Sequence, residues 1–362
     1  MIRIFPMRRT LRVLFVSAIA GLLIYPGSHA QPPVPPPVQT LHPPPSDLHS
    51  EKDWKQICAA DTATPLAAPL FDRPEPEEQL KTCDPTALYY GYDRPPDPQA
   101  ALQCGYYQRA HPNPHRGDPF YGPGTLTMLY ANGMGVDRNY DLAIRFACEN
   151  TWAAPAEMEY RIGHLEYLRD THATTKVFDL CDDGTSGLMM GACADVQENF
   201  ADVHRRLVLT TLSRGWPPQT QEAFRSLQQD EDAFEEARSG QEVDLSGTGR
   251  AAFELYERGR LRDQFLINLH RFSQGTIPVV TPDQAQAADR KLNDLYQQLQ
   301  TQPADMGTIK PEGIRQTEEA WLKLRDQWIA FGRLAYPNLS ADRLRSQLTH
   351  LRIHQLQSLL PR

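Results

Sequence analysis

The chain lacks an apolar run long enough to cross a bilayer. Val13 to Tyr25 covers 13 residues, where a spanning helix needs roughly 20. Sustained alternation of apolar and polar side chains is also absent, apart from a short extended piece at Ile277 to Val280, so a sheet-built fold is excluded. Basic charge is in deficit, with 37 Lys and Arg against 45 Asp and Glu. That balance repels nucleic acid and anionic membrane surfaces. No cysteine pair has CxxC spacing and no histidine lies at zinc-finger distance from one, which leaves metal binding the poorer use of these thiols. Catalytic signatures are missing too. Ser246, within Asp244-Leu245-Ser246-Gly247-Thr248-Gly249, lacks the glycine spacing of a nucleophile elbow and reads as helix entry, with Thr248 or Ser246 as cap. His111 and His115 are separated by Pro112 and Pro114, which forbid a shared helical face. His164 and Glu166, two apart on a helix, point different ways. No enzyme, no cofactor and no metal is expected.

What is present begins with an export address. Arg3, Arg8, Arg9 and Arg12 precede the apolar run, Pro26-Gly27 breaks it, and Ser28-His29-Ala30 fits a cleavage site. The expected signal is 1–30, cut before Gln31, and the absence of cysteine there implies no lipid anchor. Its loss removes four of the 37 basic residues and no acidic one, leaving a net charge of −12. A periplasmic or secreted location follows, with no membrane attachment after cleavage. A protein partner would be favoured if cationic. In an oxidising compartment Cys58, Cys83, Cys104, Cys148, Cys181 and Cys193 make three disulfides. Pairing of the first four stays open. Cys181 and Cys193, set apart from the rest and beside one short loop, are expected to bond.

Residues 31–50, with Pro32, Pro33, Pro35, Pro36, Pro37, Pro43, Pro44 and Pro45, form an extended tether. From 51 to 170 the pattern is helical hairpins. Leu129-Tyr130 ends a helix, Gly133 suits the left-handed position beyond it, and Tyr140, Ala143 and Phe146 restart an apolar face. This segment resembles the Sel-type repeat, a tetratricopeptide-like helix pair. A degenerate upstream unit runs from Leu88-Tyr89 to Ala100 and Cys104.

The second half repeats itself. Ala201-Asp202 recurs as Ala288-Asp289, and Gln229, Ala233, Phe234 and Arg238 recur as Gln316, Ala320, Trp321 and Arg325, always 87 residues on. A tandem duplication follows, with modules at 176–275 and 281–362. Copy two, with Ala288-Asp289, Leu292-Asn293, Tyr296 and Leu299, then Gln316, Trp321 and Arg325-Asp326, resembles the lysozyme-inhibitor LprI-type module. Copy one departs from it by carrying Arg205 and Arg206 where that family has Leu-Asn. The resemblance implies an exported, non-enzymatic protein that binds a lysozyme or another cell-wall hydrolase. A second reading is an envelope scaffold that binds through its Sel-like hairpins; an envelope enzyme is the remote third.

Within this frame the expected fold is all-α, a short hairpin-repeat domain followed by tandem helical-hairpin modules. Asp202 with Arg238, and Asp289 with Arg325, are expected to link two helices of each module, above buried Phe234 and Trp321. The loop after Cys181, with Asp182, Asp183, Thr185 and Ser186, is either a tethered acidic binding loop or an ordinary helix-entry turn. The run Asp230-Glu231-Asp232 with Glu235-Glu236 reads as a solvated helix face.

Overall fold

A computed structural model describes residues 53–63, 66–92, 94–112, 117–150, 152–301 and 306–360. The expected signal (1–30), the proline-rich linker (31–50) and His115 lie outside the described residues. Thirteen α-helices and no strand are found among those described. They are α1 (Trp54–Thr62), α2 (Glu77–Lys81), α3 (Pro85–Tyr90), α4 (Pro98–Ala110), α5 (Pro123–Asn132), α6 (Tyr140–Glu149) and α7 (Pro155–Asp170). There follow α8 (Gly187–Ser213), α9 (Pro218–Gln241), α10 (Arg250–Ser273), α11 (Pro282–Thr301), α12 (Pro311–Ala335) and α13 (Ala341–Gln357). The fold is all-α.

Local chemistry sets the boundaries. Seven helices begin at proline, where the missing N–H would have no intrahelical partner anyway. At α11 a reciprocal cap forms, Thr281 N donating to Gln284 Oε1 at 2.8 Å and Gln284 N to Thr281 Oγ1 at 3.3 Å. The start of α10 differs from expectation. Gly249 is its N-cap, without a side-chain bond. Ser246 is held instead by Asp244, which accepts its amide at 3.1 Å and its hydroxyl at 3.0 Å, and accepts Thr308 N at 3.1 Å as well.

The pairs α3–α4 and α5–α6 turn alike. Gly91 and Gly133 take φ of +76° and +65° just beyond the first helix of each, a conformation that disfavours any side chain with a Cβ. Asp97 N then donates to Leu88 O at 2.8 Å, and Asn139 N to Tyr130 O at 2.9 Å. Cys58–Cys148 ties α1 to α6, and Cys83–Cys104 ties the start of α3 to α4.

Two apolar cores result. The first gathers Tyr89, Leu126, Phe146 and Ile162 and continues through Phe178, Leu180, Met189 and Val196. It therefore runs across the boundary expected between 170 and 176. The second joins α9 to α13 around Leu227, Trp321, Trp328 and Phe331. Helix α8, 27 residues long and about 40 Å from end to end, reaches both. Its Cys193 and Val196 lie in the first core, and Leu209 and Leu212 pack on the second.

In the C-terminal half α8 packs along α10 and α11 along α13, while α9 packs on α12. Thr317 Oγ1 donates to Ala237 O at 3.3 Å and Gln327 Nε2 to Ala223 O at 3.4 Å, so α9 and α12 run antiparallel. The expected hairpin between the Asp-bearing and Arg-bearing helices is not the main contact of either module. Each Asp helix finds its chief partner in the third helix.

Candidate functional site

The loop after Cys181 is built inward. Leu180–Asp183 forms a 3-10 turn, and Cys181 is bonded to Cys193 on α8. Asp179 caps the turn, accepting Cys181 N at 2.9 Å and the Tyr90 hydroxyl at 2.8 Å. Asn132 grips the Phe178 backbone from α5, its Nδ2 donating to Phe178 O and its Oδ1 accepting Phe178 N, both at 2.8 Å. Buried Glu157 accepts Thr185 N at 3.0 Å and Ser186 N at 2.8 Å. Ser186 Oγ then caps α8 by accepting Met189 N at 3.1 Å.

Asp183 is fully buried, its two carboxylate oxygens each 3.3 Å from His164 Nδ1. Burial opposes charge on His164, but the bond and charge of Asp183 outweigh it and hold the imidazole pKa above its usual value. Burial, then Asp179 and Asp183, push the Asp182 carboxyl up to about 6. Of the four loop residues only Thr185 is exposed. The geometry is that of a helix-entry turn locked by a disulfide, not of an acidic display.

The paired repeat positions divide. Phe234 and Trp321 are both buried, and each lies under a guanidinium, Phe234 under Arg352 at 5.7 Å and Trp321 under Arg325 at 5.0 Å. The expected Asp–Arg links are not equivalent. Asp289 and Arg325 approach only to 4.0 Å. Asp202 does not meet Arg238; it pairs with Arg205 at 2.8 Å and Arg262 at 2.7 Å. Arg238 pairs with Glu257 at 2.6 Å and with Glu242. What the two Asp residues share is a bond to the third helix, Asp202 to Arg262 and Asp289 to Thr349 Oγ1 at 3.2 Å. Arg262 and Thr349 are themselves 87 apart.

Two charged grooves lie beside the repeated segments, one of about 270 Å³ between α8, α9 and α10 and one of about 490 Å³ between α11 and α12. Eight positions lining the first recur 87 residues on in the lining of the second. Asp202 matches Asp289, Glu231 matches Glu318, Asp232 matches Glu319, and Leu209 matches Tyr296.

In the first groove Arg205 is enclosed by Asp202, Glu198 and Asp263, and Arg262 by Asp202 and a two-pronged bond to Glu235 at 2.7 and 2.9 Å. Glu231 and Glu235 are both buried, so the acidic run on α9 is not simply a solvated face. They fall on the stripe of Leu227, Phe234 and Arg238, which the helix turns toward its neighbours. Beneath both modules sits fully buried Arg352 on α13. It donates to Glu242 at 2.6 and 2.8 Å and to Glu318 at 2.9 Å. Arg352, with Leu348-Thr349 and Leu356, also resembles the closing helix of the LprI-type module, but composition and motif gave no reason to expect its burial or to single out Glu242 or Glu231. The 87-residue step from Glu231 to Glu318 was the available signal.

Residues 273–356, spanning the end of α10 to α13, match the family model described as Lysozyme inhibitor LprI. No curated protein and no solved structure matches the chain.

Proposed function

We propose, from the match of the C-terminal segment to a lysozyme-inhibitor family, that the chain is an exported, non-enzymatic protein that binds and restrains a lysozyme or a related cell-wall hydrolase. The carrying observation is that match over 273–356. Three disulfides suit an oxidising location outside the cytoplasm. The net charge of −12 expected for residues 31–362 would favour encounter with a cationic enzyme. In this reading residues 1–30 are removed on export, 31–50 are a spacer, 51–170 are Sel-like hairpins, and 176–275 and 281–362 are two copies of one module. Packing of the first core onto α8 favours a supporting role for the hairpins over use as a free binding face.

The test is lysozyme turnover of cell-wall substrate in the presence of purified, oxidised residues 31–362. A saturable loss of turnover at stoichiometric protein is expected. Full turnover under a large molar excess, against lysozymes of more than one type, would sink the inhibitor reading. Intact mass of exported protein should begin at Gln31.

A further inference from the structure

In the groove beside α12, buried Glu318 is neutralised from within by Arg352. The matching groove beside α9 has no such partner. The position 87 residues before Arg352 is Phe265, which lines the groove of Glu231. Glu231 is only 8% exposed and lines that groove, and no hydrogen bond or cation of the described residues acts on it. Its immediate electrostatic company is acidic, Glu235 and Asp232.

We infer that the groove between α8, α9 and α10 binds a guanidinium group supplied from outside the chain, with Glu231 as its carboxylate and Phe265 as its apolar wall.

The internal pair is the template. Arg352 donates to Glu318 while its guanidinium lies over the Phe234 ring. A planar, forked donor against a carboxylate and an aromatic face is how arginine is ordinarily held. The same chemistry is laid out around Glu231, with Asp232 exposed at the rim. The charged groups facing Glu231 come from three helices. Asp202, Arg205 and Arg206 are on α8, Asp232 and Glu235 on α9, and Arg262 on α10. Arg205 and Arg262 are held by other carboxylates, Arg206 has an interaction of its own, and no guanidinium is among the groups that act on Glu231. Left alone, burial first and the two acidic neighbours second push the Glu231 carboxyl up to about 8. An arriving guanidinium would reverse that shift and release a proton.

This inference stands apart from the lysozyme reading, though a cationic hydrolase would be one source of the arginine. The experiment titrates oxidised residues 31–362 with N-acetyl-arginine amide, with N-acetyl-lysine amide and matched salt as controls, observing the carboxyl ¹³C of labelled glutamates. Saturable binding that prefers arginine is expected, and it should lower the Glu231 midpoint from about 8 by about one pH unit or more. Glu231→Gln should weaken the binding roughly tenfold or more, the usual scale for losing a charged hydrogen bond. Phe265→Arg, which supplies the guanidinium from within, should block it. Shifts that do not saturate, or binding left unchanged by Glu231→Gln in a protein of native helicity, would overturn the inference. A second arm measures lysozyme binding by both chains. Binding lost in Glu231→Gln makes a partner's arginine the source. Binding retained while the amide titration is lost makes the ligand a free guanidino compound. Absence of any lysozyme binding fails the inhibitor reading and leaves the guanidinium site standing.

Discussion

At the scale of single residues, charge placement decides most of what is distinctive here. Arg352 is enclosed with Glu242 and Glu318, and removing a buried ion alone strands its partners. Arg352→Ala should therefore cost roughly 3–5 kcal/mol in urea unfolding, whereas Arg325→Ala, which removes a 4.0 Å pair with partly exposed Asp289 and the guanidinium over Trp321, should cost roughly 1–2 kcal/mol. His164 contributes to a pH dependence, beside Glu231, whose carboxyl raised to about 8 also loses stability as pH rises toward that value. The folded-state pKa of His164 lies above the ordinary value of 6.5, so the folded state binds the proton more tightly than the unfolded one. The stabilisation is complete below pH 6.5 and is lost as pH rises through the folded pKa. Unfolding free energy should fall over that stretch, and His164→Gln should flatten the fall. A curve equally steep in the variant would assign it to another group.

At the scale of elements, the apolar stripes were legible and the polar pairings were not. The helical spacing of Trp321, Leu324, Trp328 and Phe331 in the sequence puts them on one face, and all four are buried. The reciprocal cap at Thr281 and the left-handed Gly133 could likewise be read locally, because each involves residues within one turn of the chain. The Asp202–Arg238 pairing failed, and Asp289–Arg325 is long at 4.0 Å, because a carboxylate's partner depends on which helix packs above it. That helix is α10 or α13, outside the motif that suggested the pairing. The acidic stretch on α9 failed for a related reason. Charge composition cannot say which members of a run lie on the packed stripe, although the recurrence of Glu231 as Glu318 marked one of them. Phe234 and Trp321 provide the test at this scale. Both are nearly enclosed, so truncating either to Ala should cost roughly 3–5 kcal/mol by chemical denaturation. A large loss for one and a negligible loss for the other would show that the two helices do not carry comparable cores.

At the scale of the whole molecule, the antiparallel contact of α9 with α12 has a consequence for what each part would do alone. The contact joins α8–α10 to α11–α13. Phe224 of α9 meets Phe331 of α12 at 5.4 Å, and Phe265 and Phe272 of α10 enclose Trp328 at 5.1 and 5.2 Å. A polypeptide of residues 276–362 alone would bare this aromatic face to water, and exposed patches of that kind drive association. Two such polypeptides, placed as α9 and α12 are placed, could cover one another about a two-fold axis. Analytical ultracentrifugation of that fragment should find a homodimer. A helical monomer at micromolar concentration would show that the two faces are not interchangeable. Within one chain, the linker between α10 and α11 would hold these two faces together at high effective concentration, where separate polypeptides would have to meet by diffusion.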